Sequence, residues 1–218
     1  MAGRILVDTQ RVDKPGSLVL DSARIMVKGE ELPFVSRGGL KLEAALKTLK
    51  LDVTGLVCLD IGASTGGFTD CLLKHGAKFI YAVDVGYGQL AWALRQDSRV
   101  ASIERTNIRH LPEDRIALPI DLVTIDVSFI SLKLVVPQAL KFLKSDGLIL
   151  GLIKPQFEVG KGKVGKGGVV KEPELIQGVI RDLSVFFKND LKLKIGPVVP
   201  SPILGPKGNQ EYIIRLDR

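Results

Sequence analysis

Four ionisable residues stand where apolar runs stop. Asp60 sits at the end of the run 56–61, Asp84 follows Phe79–Val83, Asp126 follows Ile120–Ile125, and Lys154 follows 148–153. Ligands of open parallel sheets bind beyond the carboxyl ends of the strands, so these residues point to one crevice holding three acids and an amine. One such acid is an ordinary helix cap; three that converge make a site. An acid-lined crevice repels a pyrophosphate and suits a cationic or zwitterionic ligand.

The turn between the first two of these strands narrows the ligand. In LDIGASTGGFTD, residues Gly62, Ala63, Ser64, Thr65, Gly66, Gly67 and Phe68 carry the chain from strand to helix. The glycines allow a tight turn and close approach of backbone to ligand, and the helix behind them opens with free N–H groups. A dinucleotide fingerprint requires G-x-G-x-x-G. Here Ser64 replaces the middle glycine, which excludes a nicotinamide dehydrogenase. A methyl-donor site for S-adenosylmethionine fits the acids and the turn together. Asp84, followed by Val85, is placed to accept hydrogen bonds from both ribose hydroxyls. Asn107 and Ile108 lie beyond the third strand, where an amide reads an exocyclic amine and an apolar side chain packs on the adenine. Taken alone, Asn107 is an ordinary turn residue.

These positions require alternating strands and helices, and the chain supplies them. Ser36 is placed to cap a helix with the stripe Leu40, Leu42, Ala45, Leu46 and Leu49. Further helices are expected over 89–96, 132–144 and 174–188, and strands over 56–61, Phe79–Val83, Val100–Ile103, Ile120–Ile125, 148–153, 193–199 and 209–214. Lys41 gains no role from periodicity, since a lysine on such a helix is ordinarily solvated. Glu211 faces either crevice or solvent on pattern alone. Residues 1–33 differ: short β-type runs at Ile5–Val7, 18–20 and Ile25–Val27 alternate with turns at 13–16 and 28–29, too little to fold alone.

The chain's 218 residues carry a net charge of +7, which suits a polyanionic partner. Cys58 and Cys71 form no C-x-x-C pair, and with His75 and His110 they make no metal cluster, so two reduced thiols and no metal are expected. No apolar run reaches the length of a membrane span, and no signal peptide is evident; a soluble cytoplasmic chain is expected. Gly160, Gly165 and Lys166 nearly spell a P-loop, but Gly167 stands where the Mg²⁺-binding hydroxyl belongs. Lys161, Lys163 and Lys166 among glycines instead suit a cationic lid over a phosphate backbone, and composition allows a plain surface loop equally.

The segments FVSRGGLKLEAAL, LDIGASTGGFTDCLL, AVDVGYGQL, ERTNIR, DVSFISL, LIKPQFEVG, VGKGGVV and SPILGPKGNQEY together resemble the TlyA (haemolysin A) family of FtsJ-like methyltransferases, over nearly the whole chain. That resemblance implies a Rossmann-like α/β fold with a seven-stranded, mostly parallel sheet and helices on both faces, over 34–218. It implies S-adenosylmethionine as cofactor and methylation of cytidine 2'-hydroxyls in ribosomal RNA or ribosomal subunits, not DNA. It implies a Lys-Asp-Lys-Glu tetrad at Lys41, Asp126, Lys154 and Glu211, with Lys154 as base, and RNA contacts from Arg37, Lys161, Lys163 and Lys166. Residues 1–33 resemble the second part of the family's alpha-L-type RNA-binding module, without its N-terminal helices. The competing readings are a membrane-active haemolysin, for which no spanning or exposed amphipathic segment is seen, and a non-catalytic RNA-binding assembly factor.

Overall fold

A computed structural model describes residues 5–12, 16–27, 32–160, 162–165 and 167–218. Residues 13–15 of the turn expected at 13–16, the turn expected at 28–29, and Lys161 and Lys166 lie outside these. The chain divides into two compact units, residues 1–33 and 34–218.

In the first unit, β1 (Ile5–Val7) pairs antiparallel with β2 (Gln10–Arg11) and β3 (Ile25–Val27). Asp8 adopts a left-handed conformation (φ 54°) that closes the β1–β2 hairpin, of which β2 has no apolar signal in the sequence. The run 18–20, expected as a strand, forms none, and Leu18 is fully exposed. No strand of the three-stranded sheet pairs with it, so its β-type side chains find no ladder.

The second unit runs α1 (Gly38–Leu49), β4 (Val57–Ile61), α2 (Gly67–Lys74), β5 (Phe79–Val83), α3 (Trp92–Arg95), β6 (Val100–Ile103), β7 (Ile120–Ile125), α4 (Leu132–Ala139), β8 (Leu143–Ile153), α5 (Pro155–Glu158), α6 (Pro173–Asn189), β9 (Lys194–Pro200) and β10 (Tyr212–Asp217). Its seven strands lie in the order β6-β5-β4-β7-β8-β10-β9. β10 runs antiparallel to β8 and β9, and the other four pairings are parallel. The expected mostly parallel sheet is therefore present. Alternate side chains feed two cores: Leu59, Ile61 and Val123 pack with α4 and α6 on one face, and Cys58, Ile80 and Leu122 with α1 and α2 on the other. Burial on both faces is why the strands read as continuous apolar runs.

Three boundaries differ from expectation. The helix expected over 89–96 shrinks to α3, because Leu90 is drawn into the core beside Gly66 and the Ala91 N–H donates to the Thr65 carbonyl. The helix expected over 132–144 stops at Ala139. Leu143 is buried and pairs with Ile120, so β8 starts there and takes Asp146-Gly147 in at a register shift. The last strand starts at Tyr212 rather than residue 209, leaving buried Asn209 and Glu211 and half-buried Gln210 before it. Ser36 does not cap α1 either; Arg37 holds that position and no side chain caps it.

Candidate active site

The strand order reverses between β4 and β7, and the carboxyl ends of these two strands open a cleft. Gly62 ends β4 at φ 84°, and a Cβ there would stand 2.5 Å from the Asp126 carbonyl oxygen. The Asp126 N–H donates to the Ile61 carbonyl, which fixes the two strand ends together. Three adjoining compartments of about 410, 500 and 400 Å³ open from this point, and Asp126 and Ser128 border all three.

The compartment of about 500 Å³ is bordered by Gly62, Ser64, Asp84, Val85, Asn107 and Ile108. Asp84 ties its two walls: Oδ2 accepts from the Ser64 N–H at 2.7 Å and Oδ1 from the Gly86 N–H at 2.7 Å. Each oxygen keeps a lone pair for a further donor. Asn107 Oδ1 accepts from the Arg109 N–H at 3.0 Å, which starts a short 3₁₀ turn and puts Ile108, buried, against the cavity. Gly62, Ala63, Ser64, Thr65, Gly67 and Phe68 border the compartment of about 410 Å³.

Two of the turn's glycines serve packing. Gly66 (φ 96°) lies under Leu90 and Leu94 and does not line the cleft. A Cβ on Gly67 would stand 2.3 Å from Ser36 Oγ and 2.9 Å from the Gly39 nitrogen, so this glycine lets the start of α1 lie against the start of α2. That approach carries Lys41, in the first turn of α1, to the cleft.

Lys41, Asp126, Lys154 and Glu211 all border the third compartment. Lys154 Nζ stands 2.6 Å from Asp126 Oδ1 and donates to Ser128 Oγ at 3.1 Å. The contact with Asp126 is an ion pair off the hydrogen-bonding direction, so that oxygen accepts no hydrogen bond among the described residues. Lys41 Nζ donates to Glu211 Oε2 at 2.5 Å, with both side chains buried. Glu211 Oε1, also buried, has no hydrogen-bond partner among the described residues. The antiparallel register explains the meeting: Tyr212 pairs with Ile153, so the residue before β10 lies beside the residue after β8.

Asp60, expected beside Asp84 and Asp126, lies beneath the cleft and borders none of it. It is fully buried, accepting from Thr69 Oγ1 at 2.7 Å and Thr124 Oγ1 at 2.9 Å. Burial pushes its carboxyl up to about 6, against the two threonine hydrogen bonds, with the Asp126 charge adding to the rise. A carboxyl that titrates higher in the folded than in the unfolded chain holds extra protons in the folded state, so stability falls as pH rises through that window. Asp60 is expected to remove roughly 2–4 kcal/mol between about pH 4 and 6. Urea unfolding across this range is expected to show a shallower loss for Asp60→Asn than for wild type; equal slopes would contradict the assignment.

Arg37 borders the cleft and its guanidinium donates to the Leu204 carbonyl at 2.7 Å. Lys163 is exposed and borders none of the three compartments, whereas its neighbour Val164 borders the third. The glycine-lysine loop is anchored at its far end by Asn209, which accepts from the Val170 N–H and donates to the Gly168 carbonyl, both at 2.9 Å. Sequence reasoning missed that anchor. It also missed Phe129, an exposed aromatic at φ 65° whose ring packs 4.9 Å from that of Phe157 at the cleft. Among the described residues no group of three His, Cys, Asp or Glu is placed to hold a metal ion.

A mostly parallel seven-stranded sheet with its cleft at this switch point, beside a glycine turn, is the architecture of the Rossmann-like methyltransferases. The chain belongs to the TlyA branch of the FtsJ-like methyltransferases, the FtsJ-like family profile matching residues 34–218, and is an enzyme of that class. It is 46% identical over 220 residues to the Mycobacterium tuberculosis 16S/23S rRNA (cytidine-2'-O)-methyltransferase TlyA, covering 99% of this chain and 80% of that protein. The solved structure of a candidate hemolysin from Streptococcus thermophilus is 43% identical, covers 100% of this chain and 80% of its own, and superposes with a TM-score of 0.84. Aeropyrum pernix fibrillarin, solved with natively bound S-adenosyl-L-methionine, is 21% identical over 93% of this chain and 85% of its own, with a TM-score of 0.56, and shares the fold.

Proposed function

We propose that this chain binds S-adenosylmethionine in the glycine-turn cleft and methylates the ribose 2'-hydroxyl of cytidine in ribosomal RNA. The observation that carries the reading is the meeting of the Lys154–Asp126 and Lys41–Glu211 pairs in one compartment that opens onto the glycine turn. The activity named for the M. tuberculosis relative supports the substrate.

The residues present fit the cofactor. Asp84 offers lone pairs for ribose hydroxyls, Asn107 and Ile108 border the adenine end, and Gly62, Ala63, Ser64, Thr65, Gly67 and Phe68 floor the amino-acid end. Asp126 gives the junction of the compartments the negative charge that a sulfonium favours. When bound, S-adenosylmethionine supplies an electrophilic methyl group. Lys154, as the neutral amine, takes the proton that leaves the 2'-hydroxyl, and the ammonium so formed lies against Asp126. Lys41, fixed by Glu211, steers the acceptor ribose and its phosphate. Phe129 offers an exposed ring face for the target base. Arg37 and the loop holding Lys161, Lys163 and Lys166 engage the phosphate backbone, and residues 1–33 act as part of an alpha-L-type RNA-binding module. The 2'-oxygen restricts the reaction to RNA, and ribosomal substrates place it in the cytoplasm. Among the described residues no helix is long and apolar enough to cross a membrane.

Gly62→Ala tests the cofactor site. A methyl group placed 2.5 Å from the Asp126 carbonyl on a backbone at φ 84° displaces one of the two strand ends. A cost of about 1–3 kcal/mol in stability is expected, with S-adenosylmethionine binding lost in calorimetry. Wild-type affinity in this variant contradicts the placement. The function itself is tested by offering methyl-labelled cofactor with ribosomal RNA and with DNA of the same sequence. Label is expected in the RNA alone; label in the DNA, or in neither, contradicts the reading.

A further inference from the structure

We propose that Glu158 is a positioning residue for methyl transfer, locking the segment that carries Lys154 to the loop that carries Asp126. This rests on the roles given above to Lys154 and Asp126.

The two reacting side chains come from different strands, and each is followed by chain that no sheet hydrogen bond restrains. The loop after β7 passes through Phe129, whose left-handed backbone (φ 65°) is unfavourable for a residue with a Cβ. It therefore needs external restraint to keep one shape. The segment after β8 is the single turn α5, Pro155–Glu158. Besides the Lys154–Asp126 ion pair, three contacts join the two. Lys154 Nζ meets Ser128 Oγ at 3.1 Å, the Phe157 ring meets that of Phe129 at 4.9 Å, and Glu158 closes the far end. Its Oε2 accepts from Ser131 Oγ at 2.6 Å and its Oε1 from the Leu132 N–H at 2.9 Å.

The third contact differs in kind. Both carboxylate oxygens of Glu158 are used, and an ionised acceptor makes the stronger hydrogen bond. Leu132 opens α4, so the carboxylate sits where a helix presents unpaired N–H groups and favours negative charge. The group is mostly shielded from water, which pushes its carboxyl up from the ordinary value, while Ser131, Leu132 and the charge of Lys133 work against that rise. Glu158 borders none of the three cleft compartments. Any effect on chemistry must therefore pass through the two loops, and a displacement of about 1 Å between reacting groups is enough to cost roughly 10²-fold in rate.

The test compares the wild-type chain with Glu158→Ala and Glu158→Gln in single-turnover methyl transfer to ribosomal RNA, with cofactor affinity from calorimetry. Glu158→Ala is expected to slow transfer by about 10- to 100-fold while cofactor affinity stays within about twofold. Glu158→Gln keeps the shape and one acceptor oxygen but loses the charge, and is expected to fall between, about three- to tenfold below wild type. A wild-type rate in Glu158→Ala, or equal losses in rate and cofactor affinity, overturns the inference. If the alanine variant does not fold, the glutamine variant decides alone: slowed transfer at unchanged affinity supports the inference and a wild-type rate overturns it. A wild type that transfers no methyl group to ribosomal RNA contradicts the functional reading and this inference with it. An active wild type with an equally active Glu158→Ala contradicts the inference alone.

Discussion

Lys154→Ala is expected to lower methyl transfer by roughly 10²–10⁴-fold, the usual worth of a positioned general base, while S-adenosylmethionine still binds. Lys154 follows β8 with its amine 2.6 Å from Asp126, two strands away from the glycine turn, so its removal leaves the turn, Asp84 and Ile108 as they are. Lys154→Arg separates the base from a merely electrostatic role. A guanidinium keeps the charge beside Asp126 but cannot be deprotonated at working pH. The arginine variant is therefore expected to be as inactive as the alanine variant. A substantially active Lys154→Arg would show that the residue supplies charge, not proton transfer. Both are checked by transfer of labelled methyl groups, with calorimetry for cofactor binding.

The second large effect is expected at the buried ion pair. Glu211 is 1% exposed and its only charged contact among the described residues is Lys41 Nζ at 2.5 Å. Removing one partner leaves a buried charge uncompensated, which costs about 3–5 kcal/mol. For a chain of this size that is roughly 6–20 °C in Tm. Glu211→Ala is thus expected to lose both stability and activity. The double variant Lys41→Met/Glu211→Leu separates the two losses, since apolar replacement of a whole buried pair is often neutral. It is expected to recover most of the stability and none of the activity. If it recovered methyl transfer as well, the pair would be structural and its place in the reaction would be wrong.

Much of this architecture was legible because the sheet is buried on both faces. Runs such as Phe79–Val83 and Ile120–Ile125 announce themselves by continuous apolar character and stop where the strand meets the cleft, so Asp84, Asp126 and Lys154 could be placed from the sequence. Asp60 could not, because one residue of register separates a side chain that lines a cleft from one buried against Thr69 and Thr124. Periodicity also hid Lys41 and Glu211: their partnership spans 170 positions and depends on β10 running antiparallel to β8. Family resemblance, not pattern, supplied those two. Phe129, Glu158 and Asn209 left no local signal, since each acts through a contact that exists only after the loops have docked.

The most direct test of the central claim is to incubate the chain with S-adenosylmethionine and purified ribosomal subunits, digest the RNA to nucleosides and locate the methyl group by mass spectrometry. Wild type is expected to yield cytidine methylated on the ribose 2'-oxygen, and Lys154→Ala to yield none. A methyl group on a base, or equal 2'-O-methylation by the Lys154→Ala variant, would contradict the account.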